Sequence, residues 1–257
     1  MRILITGGAG TLGRALMTPL RQAGHTVRIL TRRPRRRSTP ADVEWVQGDI
    51  STGENLSDSL AGVEAVVHAA SDPRNADAVD INGTRLLLEA AAGISNIFYI
   101  SIAGIDDIPF RYYRKKLEAE RMIEKSGLPY TILRATQFHS LIDMMISAAA
   151  RVPIVMPLPI DFRFRSVHEP EVARRIAESI DAGPSGRLTD FGGPETMTLG
   201  EMAEIWREIS GVTKRVVRLP LPGKVPAAFR AGMNTAPDGD RGVVGWRDWL
   251  LRNKGNN

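Results

Sequence analysis

Two groups of residues in this chain have the types and spacing that chemistry needs. The first is Gly7-x-x-Gly10-x-x-Gly13. Glycines in a turn let backbone N–H groups and a helix N-terminus come close to a pyrophosphate. The second is Tyr112-x-x-x-Lys116. On a helix, positions four apart share one face, so a phenol and an ammonium can reach one site. Such a pair can deliver a proton, the ammonium lowering the tyrosine pKa.

The surrounding elements must place these groups. Arg2–Thr6 is a short β-branched apolar run and reads as a buried strand, followed at once by the glycines and a helix over Arg14–Gln22. Strand, glycine turn and helix together make a mononucleotide-binding unit, although the spacing departs from Gly-x-Gly-x-x-Gly. The bland reading is a tight strand–helix connection. Thr26–Thr31 reads as the second strand. A unit selective for NAD ends that strand with a carboxylate for the ribose 2′-hydroxyl. Here Thr31-Arg32-Arg33 stands there, and guanidinium forks suit a 2′-phosphate, so NADP(H) is the expected cofactor. Arg35, Arg36 and Arg37 read as a solvated loop.

Further strands are expected at Val43–Gln47, Val63–Ala69, Asn96–Ile100 and Tyr130–Leu133, with helices from about Ala76 to Ala92 and over Arg111–Lys125. Strict alternation implies a parallel sheet covered on both faces. The expected fold is α/β, a Rossmann-type doubly wound sheet over 1–135 with a small C-terminal substrate lobe over 136–257. That boundary is soft, because Arg187–Phe191 looks like a strand that returns to the main sheet. After about Arg134 the pattern loosens, and Pro and Met become frequent.

The chain has 257 residues, no cysteine and a net charge of +5. Disulfides, thiolate metal sites and thiol nucleophiles are thereby excluded. Five arginines between Arg32 and Arg37 account for much of the basic balance, and no nucleic-acid motif accompanies them. No run of about 18 apolar residues occurs, and the first residues enter a strand directly, so neither a membrane span nor a signal peptide is expected, and a cytoplasmic location is. His25, His68, His139 and His168 show no ligand spacing with carboxylates, so no metal is expected. Asn82-Gly83-Thr84 matches a glycosylation acceptor, discounted without a secretory signal.

Several stretches carry a resemblance to a known family. Thr6–Gly13, Gly48-Asp49-Ile50, His68-Ala69-Ala70, Asn82-Gly83-Thr84 and Gly127–Arg134 resemble an atypical, extended short-chain dehydrogenase/reductase of the NmrA-like, NAD(P)H-binding group. Phe191-Gly192-Gly193-Pro194-Glu195 and a helix from about Leu199 continue the likeness. It implies that Gly7, Gly10, Thr11, Leu12 and Gly13 bind the cofactor. Asp49 and Ile50 would flank its adenine, and Ala69, Ala70 and Ser71 would line its middle. Ser101, Tyr112 and Lys116 resemble a Ser-Tyr-Lys catalytic arrangement. Tyr112 would protonate a carbonyl oxygen as hydride reaches the carbon. Ser101 would hydrogen-bond that oxygen, and Lys116 would hold the nicotinamide ribose. The competing reading makes Tyr112 and Tyr113 surface cover and Lys116 a solvated lysine paired with Glu120.

Gln137, Phe138 and His139 follow the sixth strand and are weaker candidates for the substrate side. His168 precedes Glu169-Pro170, where capping is the bland reading. Trp246 and Trp249 either pin the tail or wall a pocket. The leading functional expectation is an NADPH-dependent oxidoreductase acting on a small or aromatic carbonyl, quinone or enone. Two others stay open: a non-catalytic NADP(H) sensor that regulates a partner protein, and a redox-neutral isomerase or cyclase. The expected partner is a small-molecule substrate, without nucleic acid or membrane, and with monomer or homodimer left open.

Overall fold

A computed structural model describes residues 1–33 and 43–254. Arg35, Arg36 and Arg37 lie outside the described residues. In chain order the first half runs β1 (Arg2–Thr6), α1 (Thr11–Gln22), β2 (Thr26–Thr31), β3 (Val43–Gln47), α2 (Leu56–Leu60) and β4 (Ala65–His68). A wide π-helical turn, Asp77–Asn82, then runs into α3 (Gly83–Ala90), followed by β5 (Asn96–Ile102), α4 (Arg111–Lys125) and β6 (Tyr130–Ala135). The second half runs α5 (His139–Ala150), β7 (Val155–Leu158), β8 (Arg163–Phe164), α6 (Glu169–Ala182), β9 (Gly186–Arg187) and β10 (Phe191–Gly192). It continues with β11 (Met197–Thr198), α7 (Leu199–Ser210), β12 (Arg215–Arg218), α8 (Lys224–Ala231), β13 (Asp240–Arg241) and α9 (Trp246–Lys254).

The chain divides into two compact units, and not at a single point. The first comprises Met1–Ser101, Arg111–Leu133 and Pro170–Leu188; the second comprises Ile102–Phe110, Arg134–Glu169 and Thr189–Asn257. In the first unit the strand order is β6-β5-β4-β1-β2-β3, with β9 beside β6. β1 pairs in parallel with both β2 and β4. This is the doubly wound order, reversing between β1 and β4, and such sheets bind ligands in the crevice at the carboxyl ends where the order reverses. The strands are short β-branched runs because both faces are covered: Ile3, Leu4, Ile5, Val66, Val67 and Ile97 are fully buried. One core gathers Leu4, Leu30, Ile50, Leu56, Val66, Leu87 and Ile97. The α/β class and Rossmann-type sheet expected from alternation are therefore present.

Boundaries differ where side chains, not periodicity, decide them. α1 begins at Thr11, not Arg14, because extended Gly10 caps it directly after the turn. The helix expected from Ala76 starts as a π turn, in which the Gly83 N–H reaches back to Ala78 O. Arg187–Phe191 is not one strand: β9 pairs with Thr131 and Ile132 of β6 in the first unit, whereas β10 belongs to the second. There Phe191 pairs with Ala135, and β10 pairs with β13.

The second unit has its own core, in which Ile142, Ile146, Met156, Phe164, Met202, Trp206, Trp246 and Trp249 pack together. α7 starts with a full capping box, Thr198 and Glu201 each bonding the other's backbone N–H. α5, β7 and β12 occupy stretches where the sequence showed no clear pattern.

Candidate functional site

The glycine turn is dictated by space. Gly7 has φ +72°, and a Cβ there would lie 2.6 Å from Ala69 O. A Cβ on Gly13 would lie 2.3 Å from Gly7 O, so only glycine lets α1 start this close to β1. Gly10 is different: it has ordinary backbone geometry, and its Cβ would meet only Gly7 O, at 3.1 Å. Gly10 thus leaves space in front of the helix, whereas Gly7 and Gly13 build the turn. No side chain caps α1, and no acidic residue stands in its first turn. Its N-terminal N–H groups and the positive end of its dipole are therefore open to an anion.

A cavity of about 270 Å³ lies in front of this turn. It is lined from the carboxyl ends of four strands: Thr6 and Gly7 after β1, Thr31 and Arg32 after β2, Asp49 and Ile50 after β3, and Ala69–Asp72 after β4. Of the residues expected to bind a cofactor, Gly7, Gly10, Arg32, Asp49, Ile50, Ala69, Ala70 and Ser71 line this cavity. Thr11, Leu12, Gly13, Arg33 and Lys116 are not in its wall. Leu12 is a core side chain, and Gly13 is spent on helix–strand packing. Arg33 is exposed and uses its backbone N–H on Thr31 Oγ1. Thr6, Ala9, Leu30, Thr31, Gly48, Asp72 and Val79 also line the cavity; four of them fall inside the sequence motifs, but none was expected to bind the cofactor. The strand-end rule would have found Thr6, Leu30, Thr31 and Gly48, which lie at or directly after strand ends, but not Ala9, Asp72 or Val79. The glycine cradle, the uncapped helix and the guanidinium at the end of β2 fit a dinucleotide's phosphates.

At the Ser71 end of the cavity stands a hydrogen-bonded cluster, all of it within the first unit. Ser71 Oγ donates to Asp80 Oδ1 at 2.5 Å, and the Asp72 N–H donates to Asp80 Oδ2 at 3.2 Å. Tyr112 Oη lies 2.6 Å from Ser71 Oγ. Ser71 has one hydroxyl proton and gives it to Asp80, so Tyr112 is the donor in that contact. Lys116 Nζ donates to Ile100 O at 2.9 Å, lies 3.8 Å from Asp80 Oδ1 and sits 4.1 Å from the centre of the Tyr99 ring. Ser101 is two residues beyond Tyr99 on β5, hence on the same face of the sheet. Its hydroxyl is buried and has no hydrogen-bond partner among the described residues.

The electrostatics correct one expectation. Lys116 does not lower the pKa of Tyr112. Burial, and then the charge of Asp80, push the phenol well above its ordinary value. Lys116 is itself lowered to about 8 by burial, against the upward pull of Asp80 and Glu120. Nor is it a solvated lysine on a charged face, because its side chain is only 3% exposed.

Behind the cluster, the directions of the hydrogen bonds fix the tautomer of His68. The Thr84 hydroxyl donates to Asp80 O, so it must accept from His68 Nε2 at 3.0 Å. Nδ1 is then an acceptor and receives the Thr6 hydroxyl at 2.7 Å, while Thr6 Oγ1 accepts the Ala70 N–H. A neutral ring suits this arrangement, and burial lowers the His68 pKa to about 3. The chain of bonds ties β1, β4 and the π turn that carries Asp80.

In the second unit the expected substrate residues have other duties. His139 does not face a ligand: it is fully buried, with Nδ1 2.8 Å from Ser166 Oγ and Nε2 3.0 Å from Val244 O. Its ring packs against both Trp246 and Trp249, and burial takes its pKa down to about 4. His168 lies 6.4 Å away, ring to ring. Gln137 accepts from Asn234 Nδ2, and Phe138 is the extended residue that starts α5. Trp246 and Trp249 stack on each other, and Trp246 Nε1 donates to Met202 O, which anchors α9 to α7. Among the described residues no group of His, Asp and Glu could hold a metal, and no helix is long and apolar enough to cross a membrane.

Comparison with known proteins agrees with the cavity. A family model described as NAD(P)H-binding matches residues 7–181. The (4-alkanoyl-5-oxo-2,5-dihydrofuran-3-yl)methyl phosphate reductase of Streptomyces griseus is 30% identical over 239 residues, covering 91% of this chain and 82% of that protein. A photosystem II assembly factor of Trieres chinensis is 26% identical over 239 residues, covering 86% and 73%. Two solved structures share the fold. The NADPH-dependent quinone oxidoreductase of Escherichia coli has a TM-score of 0.74 at 22% identity, covering 97% of this chain and 98% of that one. A nucleoside-diphosphate-sugar epimerase of Staphylococcus aureus has a TM-score of 0.76 at 20% identity, covering 97% and 99%. With a glycine cradle at an uncapped helix, a cavity on the switch point of a doubly wound sheet, and a family match over most of its length, this chain belongs to the NAD(P)H-binding family of atypical short-chain dehydrogenase/reductase relatives.

Proposed function

We propose that this protein is an NADPH-dependent oxidoreductase that reduces a small or aromatic carbonyl, a quinone or an enone. The observation that carries the reading is that Ser71, in the wall of a cavity that suits a dinucleotide, hydrogen-bonds both Tyr112 and Asp80, with Lys116 3.8 Å from Asp80. The similarity to a named reductase supports it.

Each residue then has a task. Gly7, Gly10 and the α1 N-terminus receive the pyrophosphate. Arg32, with Arg33 beside it, pairs with the 2′-phosphate, and the segment Thr31-Arg32-Arg33 itself carries no carboxylate to repel it. Asp49 and Ile50 border the adenine. The bound nicotinamide supplies a hydride to the acceptor. Tyr112 gives the acceptor oxygen a proton, and its raised pKa keeps that proton in place until charge develops on the oxygen. The unpartnered Ser101 hydroxyl is available to hydrogen-bond the same oxygen. The Lys116 ammonium places positive charge 3.8 Å from the Asp80 carboxylate.

A second reading, a dinucleotide sensor without turnover, is favoured by the likeness to an assembly factor and by a Tyr112 proton turned toward Ser71. One experiment separates the two. NADPH oxidation is followed by its absorbance against a panel of quinones, enones and ketones, alongside calorimetric titration of NADPH. Turnover supports the oxidoreductase; tight binding with no turnover of any acceptor supports the sensor.

A further inference from the structure

Asp80 had no role in the sequence reading, yet two segments, the loop after β4 and α4, converge on its carboxylate. It is buried, with a side chain 0% exposed, in the π turn that precedes α3. Its two oxygens take the Ser71 hydroxyl and the Asp72 N–H from the loop after β4, and Lys116 approaches from α4. Burying a carboxylate is costly unless it is paired and hydrogen-bonded. A purely structural ion pair would need Lys116 alone. Here both oxygens also hold residues that line the cavity, Ser71 and Asp72. The wide π turn presents Asp80 at this spot, and the Thr84–His68–Thr6 bonds brace it from behind. Single π turns inside helices occur frequently at functional sites.

We propose that Asp80 is a positioning residue of this site, fixing the Tyr112 hydroxyl through Ser71 and holding the Lys116 ammonium directly. The proposal rests on the reading of Tyr112 and Lys116 given above. It has a geometric part and a charge part. While Asp80 takes the Ser71 proton, Ser71 Oγ is left as an acceptor for the Tyr112 hydroxyl. The charged and titratable groups facing Lys116 are Asp80 from the π turn, His68 from β4, Tyr99 from β5 and Glu120 from α4 itself. Those facing Tyr112 include Asp80, Asp72, Tyr113 and Tyr99. Asp80 is the larger of the two charges that favour the protonated form of Lys116.

Asp80→Asn keeps the shape and removes the charge. The Lys116 titration is followed by NMR in protein carrying ¹³C-lysine, assigned by loss of the signal in Lys116→Met. The midpoint should fall by about one pH unit or more in Asp80→Asn and stay in place in Ser71→Ala. This readout needs no substrate, so it decides the Asp80–Lys116 link even if no acceptor is ever turned over, an outcome that would defeat only the oxidoreductase reading. With 2-methyl-1,4-naphthoquinone as the probe acceptor, kcat should drop about tenfold or more in both variants, with KM for NADPH within about threefold of wild type. The alkaline limb of the kcat profile should move to lower pH in Asp80→Asn only. Ser71→Thr, which keeps a hydroxyl, should restore the rate, and this arm stands even if Asp80→Asn fails to fold. An unmoved Lys116 midpoint, or wild-type kcat in Ser71→Ala, overturns the proposal.

Discussion

The two units bury polar side chains for different ends. In the second, the buried groups close mainly on backbone carbonyls, with Ser166 and Gln137 as side-chain partners of His139 and Asn234. Arg165 donates to Gly193 O, Thr235 O and Ala236 O, Asn234 donates to Arg163 O, and His139 reaches Val244 O. Each bond fastens one loop to another and goes no further. In the first unit, side chains are linked in series: His68 donates to Thr84, Thr84 donates to the Asp80 carbonyl, and the Asp80 carboxylate takes the hydroxyl of Ser71, which lines the cavity and accepts from Tyr112. A buried side chain that ends on carbonyls satisfies the backbone. A buried network that ends at a cavity sets the position and protonation of whatever faces that cavity. Histidine type alone does not distinguish the two: His68 and His139 are both buried and both neutral.

The largest effect expected from this contrast is on stability. Arg165→Met leaves several carbonyls of the second unit without a donor and should cost about 3 kcal/mol. Urea unfolding measures that cost. Calorimetry should find NADPH affinity nearly unchanged, and a parallel loss of affinity would erase the distinction between fastener and site. Tyr112→Phe should show the opposite pattern. Stability and NADPH binding should hold, while the rate falls by about 10²-fold, or roughly 2.7 kcal/mol of barrier. Wild-type turnover in that variant would remove Tyr112 from the chemistry and leave the network a scaffold.

The two histidines should respond alike to acid. Each has a folded-state pKa below its ordinary 6.5, about 3 for His68 and about 4 for His139. The unfolded chain therefore binds the proton first, and stability falls as pH drops below 6.5 toward those values. Between pH 7 and about 5, each should remove about 2 kcal/mol. His139→Gln should flatten that dependence by about one histidine's share in urea titrations at the two pH values. An unchanged slope would mean that His139 protonates freely when folded. The smallest effect concerns the cofactor's phosphate. NADPH should bind about tenfold tighter than NADH, about 1.4 kcal/mol, and replacing both Arg32 and Arg33 with Ala should abolish most of the difference. Arg32→Ala alone should account for the larger part, because Arg32 lines the cavity and Arg33 does not.

Local features of the sequence determined the scaffold. The β-branched runs Arg2–Thr6, Thr26–Thr31 and Val43–Gln47 became strands with the same bounds, because buried parallel strands need little beyond their own apolar content. The glycine spacing foretold the turn, since the required positive φ at Gly7 and the close approach at Gly13 are properties of one short segment. The i,i+4 spacing put Tyr112 and Lys116 on one helix. Tertiary structure alone decided what those groups touch. Asp80 meets Ser71 and Lys116 only after β4, the π turn and α4 have packed, and no spacing rule links positions so far apart in the chain. It also decided that His139, a weaker candidate for the substrate side, is buried against two stacked tryptophans. Burial and the charges brought alongside set the proton affinities of Tyr112 and Lys116, and both are products of packing that periodicity does not encode.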